Sequence, residues 1–385
     1  MIELDEQDIL RYARQLTLNE IGITGQIAIK NARVLVIGAG GLGCPVLLYL
    51  TAAGVGTIEI VDHDVVDESN LQRQVLYTTI DIGRSKTSAA KIRLEALNPH
   101  VKIIEHNFEI NKDNTMPLFS NYDIAVDATD NFATKFLIND ACFFSKIPMI
   151  YASISQFEGQ LSVFNYLDPE TDTIGPNYRD LFPSPPPAHL TESCKEAGVI
   201  GVLPGLLGCF QANETLKIIV KMGKPLSGKV LLIDALTMQN RSMLIENRAD
   251  NPLRNMTFSS NTLNELSFAQ NTSNSPSISA FEFNNWILRN EIFQLIDVRE
   301  KSESAEFSLG GVLLPLIELP DRISEIRSNM PLVFYCKSGL RSRQAVSLVK
   351  EAFPEAIALS LENGLDAYVA SGYICAVNNK KNRTT

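Results

Sequence analysis

Gly38, Gly40, Gly41 and Gly43 stand between a hydrophobic run, RVLVI, and a helical stretch, CPVLLYLTAA. Glycines let a backbone come against a phosphate, and a helix that starts there offers free N–H groups and the positive end of its dipole. The next strand, TIEIVD, ends on Asp62, placed to accept hydrogen bonds from a ribose. This is the order of a dinucleotide-binding unit, and a nicotinamide, a flavin or ATP would each satisfy it. The following stretch narrows the choice. Arg73 and Lys86 lie just downstream of the acid, and two cations aimed at one site suit a triphosphate better than a hydride carrier's pyrophosphate. Asp127, Asp130 and Asn131 close the fourth core strand in AVDATDN, at the end that faces the ligand in an open α/β sheet. A carboxylate beside phosphates implies magnesium.

A second reactive centre lies far downstream. FYCKSGLRSRQAVSLV puts Cys336 between a buried strand and a helix, on a loop of Cys336, Lys337, Ser338, Gly339, Leu340 and Arg341. Backbone N–H groups and the helix start would stabilise a thiolate there, and Arg341 and Arg343 add positive charge. A cysteine phosphatase and a persulfide carrier both use such a cradle. Four residues separate Cys336 from Arg341 and six separate it from Arg343, so neither arginine has the phosphatase spacing. The loop suits a persulfide.

Positioning these groups requires two α/β bodies. From Ala32 to Ile154 strands alternate with helical stretches: RVLVIG, TIEIVD, VKIIEHN, YDIAVDAT, IPMIYASI. The pattern predicts a Rossmann-like, mainly parallel sheet with helices on both faces. GQLSVFNY and KVLLIDAL read as further strands, DEQDILRYARQLTLNEIG as one helix ending near Gly22, and residues 200–222 as a buried helix. PNYRDLFPSPPPAHLTESCKEAG reads as a Pro-rich loop without regular structure. After Asn247 the chain turns rich in Asn and Ser. The expected division is a nucleotide-binding domain over 1–248, a linker over 249–277, a small C-terminal α/β domain over 278–378 and a polar tail over 379–385.

The 385 residues carry a net charge of −10, which argues against nucleic acid or an anionic membrane as main partner. No apolar run reaches the roughly 20 residues of a membrane span. MIELDEQDIL lacks the basic start and apolar core of a signal peptide. Six scattered cysteines form no CxxC pair, so a cytoplasmic protein with free thiols is expected.

At this point GAGGLGCPVLLYLTAAGVG, SNLQRQ, GRSKTSAA, DATDNFATKFLINDAC, FEGQLSVF and CKEAGVIGVLPGLLGCFQANETLKII resemble the MoeB/ThiF group, relatives of ubiquitin-activating enzymes, over residues 3–247. The resemblance implies ATP-dependent adenylation of the C-terminal Gly-Gly of a ubiquitin-like sulfur carrier of the MoaD/ThiS type. It assigns Gly41 and its neighbours to the nucleotide, Asp62 to the ribose and Asn70, Arg73 and Lys86 to the phosphates. It assigns Asp130 to magnesium and Arg14, in RYARQ, to the active site of the other subunit of a homodimer. Cys194 matches a cysteine that takes the carrier into a covalent link in some members and has no covalent role in others. FQLIDVREKSESAEFSLGGVLLPL and the Cys336 loop resemble a rhodanese over residues 280–375. The fusion then implies sulfur transfer from a Cys336 persulfide, loaded by a donor such as a cysteine desulfurase, to give a carrier thiocarboxylate for molybdopterin, thiamine or tRNA thiolation. A flexible tether would raise the persulfide to an effective concentration on the order of millimolar. The alternative is an adenylyltransferase whose rhodanese domain is inactive or regulatory. Many members of the MoeB/ThiF group hold a structural zinc with two CxxC pairs. Here the first element reads NYRD, with Asn177 and Asp180 where cysteines would stand, and the second, RADNPLRN, has no cysteine, so a zinc-free protein is expected.

Overall fold

The computed structural model describes residues 3–183, 198–256 and 276–373. They fall into two compact units, one reaching residue 256 and one beginning at residue 276.

The first unit is built on an eight-stranded sheet. Its strands are β1 (Arg33–Ile37), β2 (Thr57–Val61), β3 (Lys102–His106), β4 (Ile124–Asp127), β5 (Met149–Ser155), β6 (Glu158–Phe164), β9 (Lys229–Asp234) and β10 (Gln239–Leu244), while β7 (Leu167–Asp168) and β8 (Thr173–Ile174) form a separate small hairpin. The order is β10-β9-β6-β5-β4-β1-β2-β3. β5, β4, β1, β2 and β3 run parallel, and β6, β9 and β10 add antiparallel pairs on one side. Val34, Leu35, Val36 and Ile37 of β1 are all buried, as a central strand covered on both faces must be. Two apolar clusters, one including Val34 and Val36, the other Leu35 and Ile37, fill the opposite faces. The helix Gly43–Ala53 follows β1, packs on the helix Val202–Val220, and stops at Gly54 in the left-handed conformation.

Three expectations fail here. The N-terminal helix is broken into Glu6–Arg11 and Ala13–Leu16. Tyr12 leaves the helical path because its ring is buried against Gly54 and its hydroxyl accepts a hydrogen bond from Asn98 Nδ2 at 2.8 Å. Gly22 opens a further helix, Gly22–Asn31, where an end was expected. The PNYRD segment forms a helical turn, Tyr178–Leu181, with Asn177 and Asp180 making a capping box. β10 carried no burial pattern, since all six of its residues are exposed; its pairing with β9 makes it a strand.

The second unit holds a five-stranded, wholly parallel sheet in the order β11-β15-β14-β12-β13. Its strands are β11 (Ser277–Ile278), β12 (Gln294–Asp297), β13 (Val312–Leu313), β14 (Leu332–Tyr335) and β15 (Ala358–Leu361). All four residues of β14 are buried, so the strand that leads into Cys336 is the centre of this body.

Candidate active sites

In the first unit one cleft lies at the carboxyl ends of β1, β2 and β4. It is lined by Gly38, Gly40, Gly41, Asp62, Asn70, Arg73, Lys86, Asp130 and Asn131, the nine residues the sequence assigned to the nucleotide. Gly38 has φ +96°, and a Cβ there would come 2.6 Å from the Ala128 carbonyl oxygen, so only glycine lets β1 turn into the helix. Asp62 is fixed by the turn it faces: its Oδ2 accepts the Ala39 N–H at 2.7 Å and its Oδ1 the Asp64 N–H at 2.8 Å. Lys86 begins the helix Lys86–Leu97, is buried, and places Nζ 2.7 Å from Asp64 Oδ2. Arg73 gives one N–H to the Ser69 carbonyl at 3.2 Å, and Gln74 holds Asn70 Oδ1 at 2.6 Å. Asp130 is exposed in the cleft, and Asn131 caps the helix Phe132–Ser145 by accepting the Thr134 N–H.

Asp127 does not join them. It is fully buried, bonded to Lys135 Nζ at 2.8 Å and to the Thr129 hydroxyl at 2.6 Å. With both oxygens bonded, this buried carboxylate is not available to a ligand. Arg14 is exposed and lies outside its own chain's cleft. Cys194 lies outside the described residues. The cleft also takes in Asp64, Phe108, Ile110, Thr129 and Ser153, which the sequence reading passed over. The rule that strand ends face the ligand would have found Phe108 had it been applied to β3 as it was to β4.

In the second unit Cys336 follows β14 and is buried. Its Sγ accepts the Gly339 N–H at 3.1 Å and lies 3.7 Å from Ser342 Oγ, which is 2.8 Å from Ser360 Oγ. Gly364, at φ +64°, backs the loop: a Cβ there would come 2.5 Å from the Cys336 and Lys337 carbonyl oxygens and the Gly339 nitrogen. Lys337 and Ser338 are exposed, and Leu340 opens the helix Leu340–Ala352. Arg341 is paired with Glu303 at 2.6 and 2.8 Å, and this guanidinium holds the Glu303 carboxyl below its usual range. Arg343 donates Nε–H to the Gly339 carbonyl at 3.2 Å. The other cysteines among the described residues carry no such cradle: burial pushes the Cys44 thiol up to about 12 and raises Cys142 and Cys209.

The corner where the resemblance implied a metal is occupied by side chains bonded to one another. Asn251 Nδ2 donates to Asn177 Oδ1 at 3.0 Å and to Asp180 Oδ1 at 2.9 Å. Arg254 donates to Asp180 Oδ2 at 2.9 Å, and the Arg248 N–H to Asp180 Oδ1 at 2.8 Å. The segment 249–256, on the far side of the expected boundary, is thus tied to the helical turn Tyr178–Leu181, with Leu253 fully buried. Two amides, one carboxylate and a guanidinium do not fit zinc, which wants thiolate or imidazole and is repelled by the arginine.

Residues 12–254 match the ThiF family and residues 280–371 the rhodanese-like domain. The chain is 40% identical over 371 residues to the probable adenylyltransferase/sulfurtransferase MoeZ of Mycobacterium tuberculosis, covering 95% of this chain and 94% of that one. It is 35% identical over 387 aligned positions to the adenylyltransferase and sulfurtransferase MOCS3 of Drosophila grimshawi, covering 95% and 85%. It is 46% identical over 240 residues to the sulfur carrier protein adenylyltransferase of Thermus thermophilus, covering 62% and 88%. Among solved structures, E. coli MccB with ATP superposes with a TM-score of 0.52 at 21% identity over 66% of this chain and 82% of that one, a likeness of fold.

Proposed function

The chain belongs to the ThiF family and carries a rhodanese-like domain after it, and we propose that its two units catalyse successive steps of one synthesis. It is an adenylyltransferase and sulfurtransferase that uses ATP. The substrate is the C-terminal Gly-Gly carboxylate of a ubiquitin-like sulfur carrier. A carboxylate oxygen attacks the α-phosphorus of ATP and pyrophosphate leaves; the terminal sulfur of a Cys336 persulfide then displaces AMP from the acyl carbon, and a thiol attacks the Cys336 sulfur of the resulting acyl disulfide, so that the carrier leaves as its thiocarboxylate and the disulfide left on Cys336 is reduced by a second thiol. The reading is carried by one observation: the glycine turn, Asp62, Arg73, Lys86 and Asp130 line one cleft in a chain whose other unit holds Cys336 on a strand-to-helix loop.

The cleft residues divide the work. N–H groups of the glycine turn and the cations Arg73 and Lys86 meet the charge that grows on the α-phosphate, and being fixed they need no reorganisation. Asp62 orients the ribose. Asp130 would hold magnesium, which would supply charge neutralisation for the departing pyrophosphate. The tail of the carrier must reach this cleft, and Cys194 is our candidate for a covalent link to it.

We read the active form as a cytoplasmic homodimer in which Arg14 serves the partner's cleft. Two observations support this: Arg14 is exposed away from its own cleft, and Val202, Leu206 and Phe210 leave an apolar stripe exposed along one helix. No helix among the described residues is long and apolar enough to cross a membrane. The Asp180 cluster supports a first unit without structural zinc. Candidate pathways for the product are molybdopterin, thiamine and tRNA thiolation. The test is ATP–pyrophosphate exchange with each ubiquitin-fold carrier of the source organism, followed by mass detection of the thiocarboxylate. Exchange that needs no carrier, or none with any carrier, would reject the assignment.

A further inference from the structure

We propose that Ser342, backed by Ser360, is a second hydrogen-bond donor to the Cys336 sulfur and holds it as a thiolate ready for sulfur transfer. The inference rests on the sulfurtransferase reading above.

Cys336 is fully buried and belongs to an apolar cluster with Ile296, Val298, Phe334 and Val346. A sulfur anion is costly in such a setting unless donors face it. The main chain supplies one donor, the Gly339 N–H at 3.1 Å. A side chain reaches the sulfur as well: Ser342 Oγ lies 3.7 Å from Sγ. Ser342 sits in the first turn of the helix Leu340–Ala352 and is wholly shielded from solvent. Behind it, on the neighbouring strand β15, stands Ser360, also buried, with its Oγ 2.8 Å from Ser342 Oγ. Buried hydroxyls need partners, so each of these hydrogens has to be placed.

The carbonyl of Gly339 shows where they go. Three donors point at it: the Arg343 N–H at 3.3 Å, the Arg343 Nε–H at 3.2 Å and the Ser342 hydroxyl at 3.1 Å. A carbonyl oxygen has two lone pairs, so Arg343 alone satisfies it and the Ser342 hydrogen is free to leave. In the thiol form, S–H donates to Ser342 Oγ while the Ser342 hydrogen stays on the carbonyl. When the thiol gives its proton to water, the Ser342 hydroxyl turns to donate to the sulfur, and the Ser360 hydroxyl donates to Ser342 Oγ. The anion then has two donors, and both serine hydroxyls keep a partner. Hydrogen bonds to a charged acceptor are the strong ones, so the exchange favours the thiolate.

The experiment alkylates the full-length protein with iodoacetamide across a range of pH and follows the Cys336 peptide by mass spectrometry. It compares the wild type with Ser342→Ala and Ser360→Ala. The charged groups of the loop and of the elements around it, Lys337, Arg341 with Glu303, Arg343, Asp366 and the Asp297–Arg299 pair, are the same in all three proteins. In Ser342→Ala the rate at neutral pH should fall about threefold, because a roughly tenfold loss of thiolate is partly offset by the greater nucleophilicity of what remains. At alkaline pH, where the thiol is ionised in both proteins, the variant should be at least as fast as the wild type. Ser360→Ala should cross the wild-type profile in the same way with a smaller loss at neutral pH, since Ser342 then loses only its support. A second reading loads Cys336 with an alkyl persulfide made in situ and adds cyanide. Cyanide takes the outer sulfur as thiocyanate, the Cys336 sulfur leaves with the bonding pair, and the rate should fall in the same order of variants. Identical alkylation profiles in the wild type and a folded Ser342→Ala would overturn the proposal. So would a loss by one factor at every pH, which marks a distorted loop. Should Ser342→Ala fail to fold, the crossing in Ser360→Ala decides by the same criterion. A wild-type Cys336 that the persulfide does not load would instead remove the sulfurtransferase reading, while the alkylation profiles would still decide the role of Ser342.

Discussion

The turn after β1 and the turn after β14 are built alike. In each, a buried parallel strand hands the chain to a helix through a glycine-bearing loop, and backbone N–H groups are left facing the site. They differ in what surrounds them. Around the first turn the side chains are spread along a cleft: Asp130 is exposed, Arg73 spends one N–H on a carbonyl, and Lys86 is paired with Asp64. Around the second the nucleophile is buried at once, Sγ already accepts the Gly339 N–H, and Arg341 is neutralised by Glu303. One cradle is left open for a polyanion that arrives from outside. The other is closed around a single sulfur. The same backbone device serves two chemistries because the side chains around it differ in how far they are spread and exposed.

The sharpest way to break this comparison is to remove the sulfur. Cys336→Ser should abolish thiocarboxylate formation while leaving carrier-dependent pyrophosphate exchange in place, because a hydroxyl cannot carry sulfane sulfur. Thiocarboxylate formed by the variant when an alkyl persulfide is the sole sulfur source would show that the second cradle is not the donor. Asp130→Ala acts on the other side. Exchange should fall by about 10²–10³-fold, the range seen when one group that stabilises transition-state charge is deleted. Persulfide-to-cyanide transfer should persist, and exchange near the wild-type rate would remove Asp130 from the cleft's chemistry.

A smaller effect tests whether the open cleft is completed by a second chain. Arg14→Ala and Asp130→Ala subunits, each impaired alone, should recover part of the activity when mixed, since some hybrid clefts receive both residues. No recovery after demonstrated subunit exchange would reject a role across the interface. The mildest perturbation concerns the corner that has no ligand to meet. Arg254→Met leaves Asp180 buried with one donor fewer and should cost about 1–3 kcal/mol in denaturant unfolding of the first unit. A chelator should leave the wild-type midpoint unmoved, and elemental analysis of protein purified without chelator should find no zinc. About one tightly bound zinc per chain would refute the reading of that corner.

What was legible in the sequence follows from range. β1, β2, β4 and the Gly38 turn are written in consecutive residues, because continuous apolar runs and a glycine cluster encode their own geometry. Part of the cleft was legible for the same reason, since Gly38, Gly40, Gly41, Asp62, Asp130 and Asn131 sit at or just past the ends of such runs. Pairings made at long range were not. Nothing local marks Glu303 as the partner of Arg341 or Asn251 as the partner of Asp180. Tyr12 interrupts a sound helical pattern because its ring is buried against Gly54 and Asn98, 86 residues away, meets its hydroxyl. β10 is polar and exposed, so only its neighbour β9 makes it a strand.

The Asp180 cluster also bears on the order of events in folding. Asp180 and Asn251 are 71 residues apart, and the helix Val202–Val220 and the β9–β10 hairpin lie between them. Closing so long a loop is entropically costly until those elements have docked on the sheet, so the cluster is expected to form after the folding barrier is crossed. Interactions absent from the transition state act on the unfolding rate and leave the folding rate almost unchanged. The corner therefore works as a late-closing latch: loosening it should shorten the lifetime of the native first unit without slowing its formation.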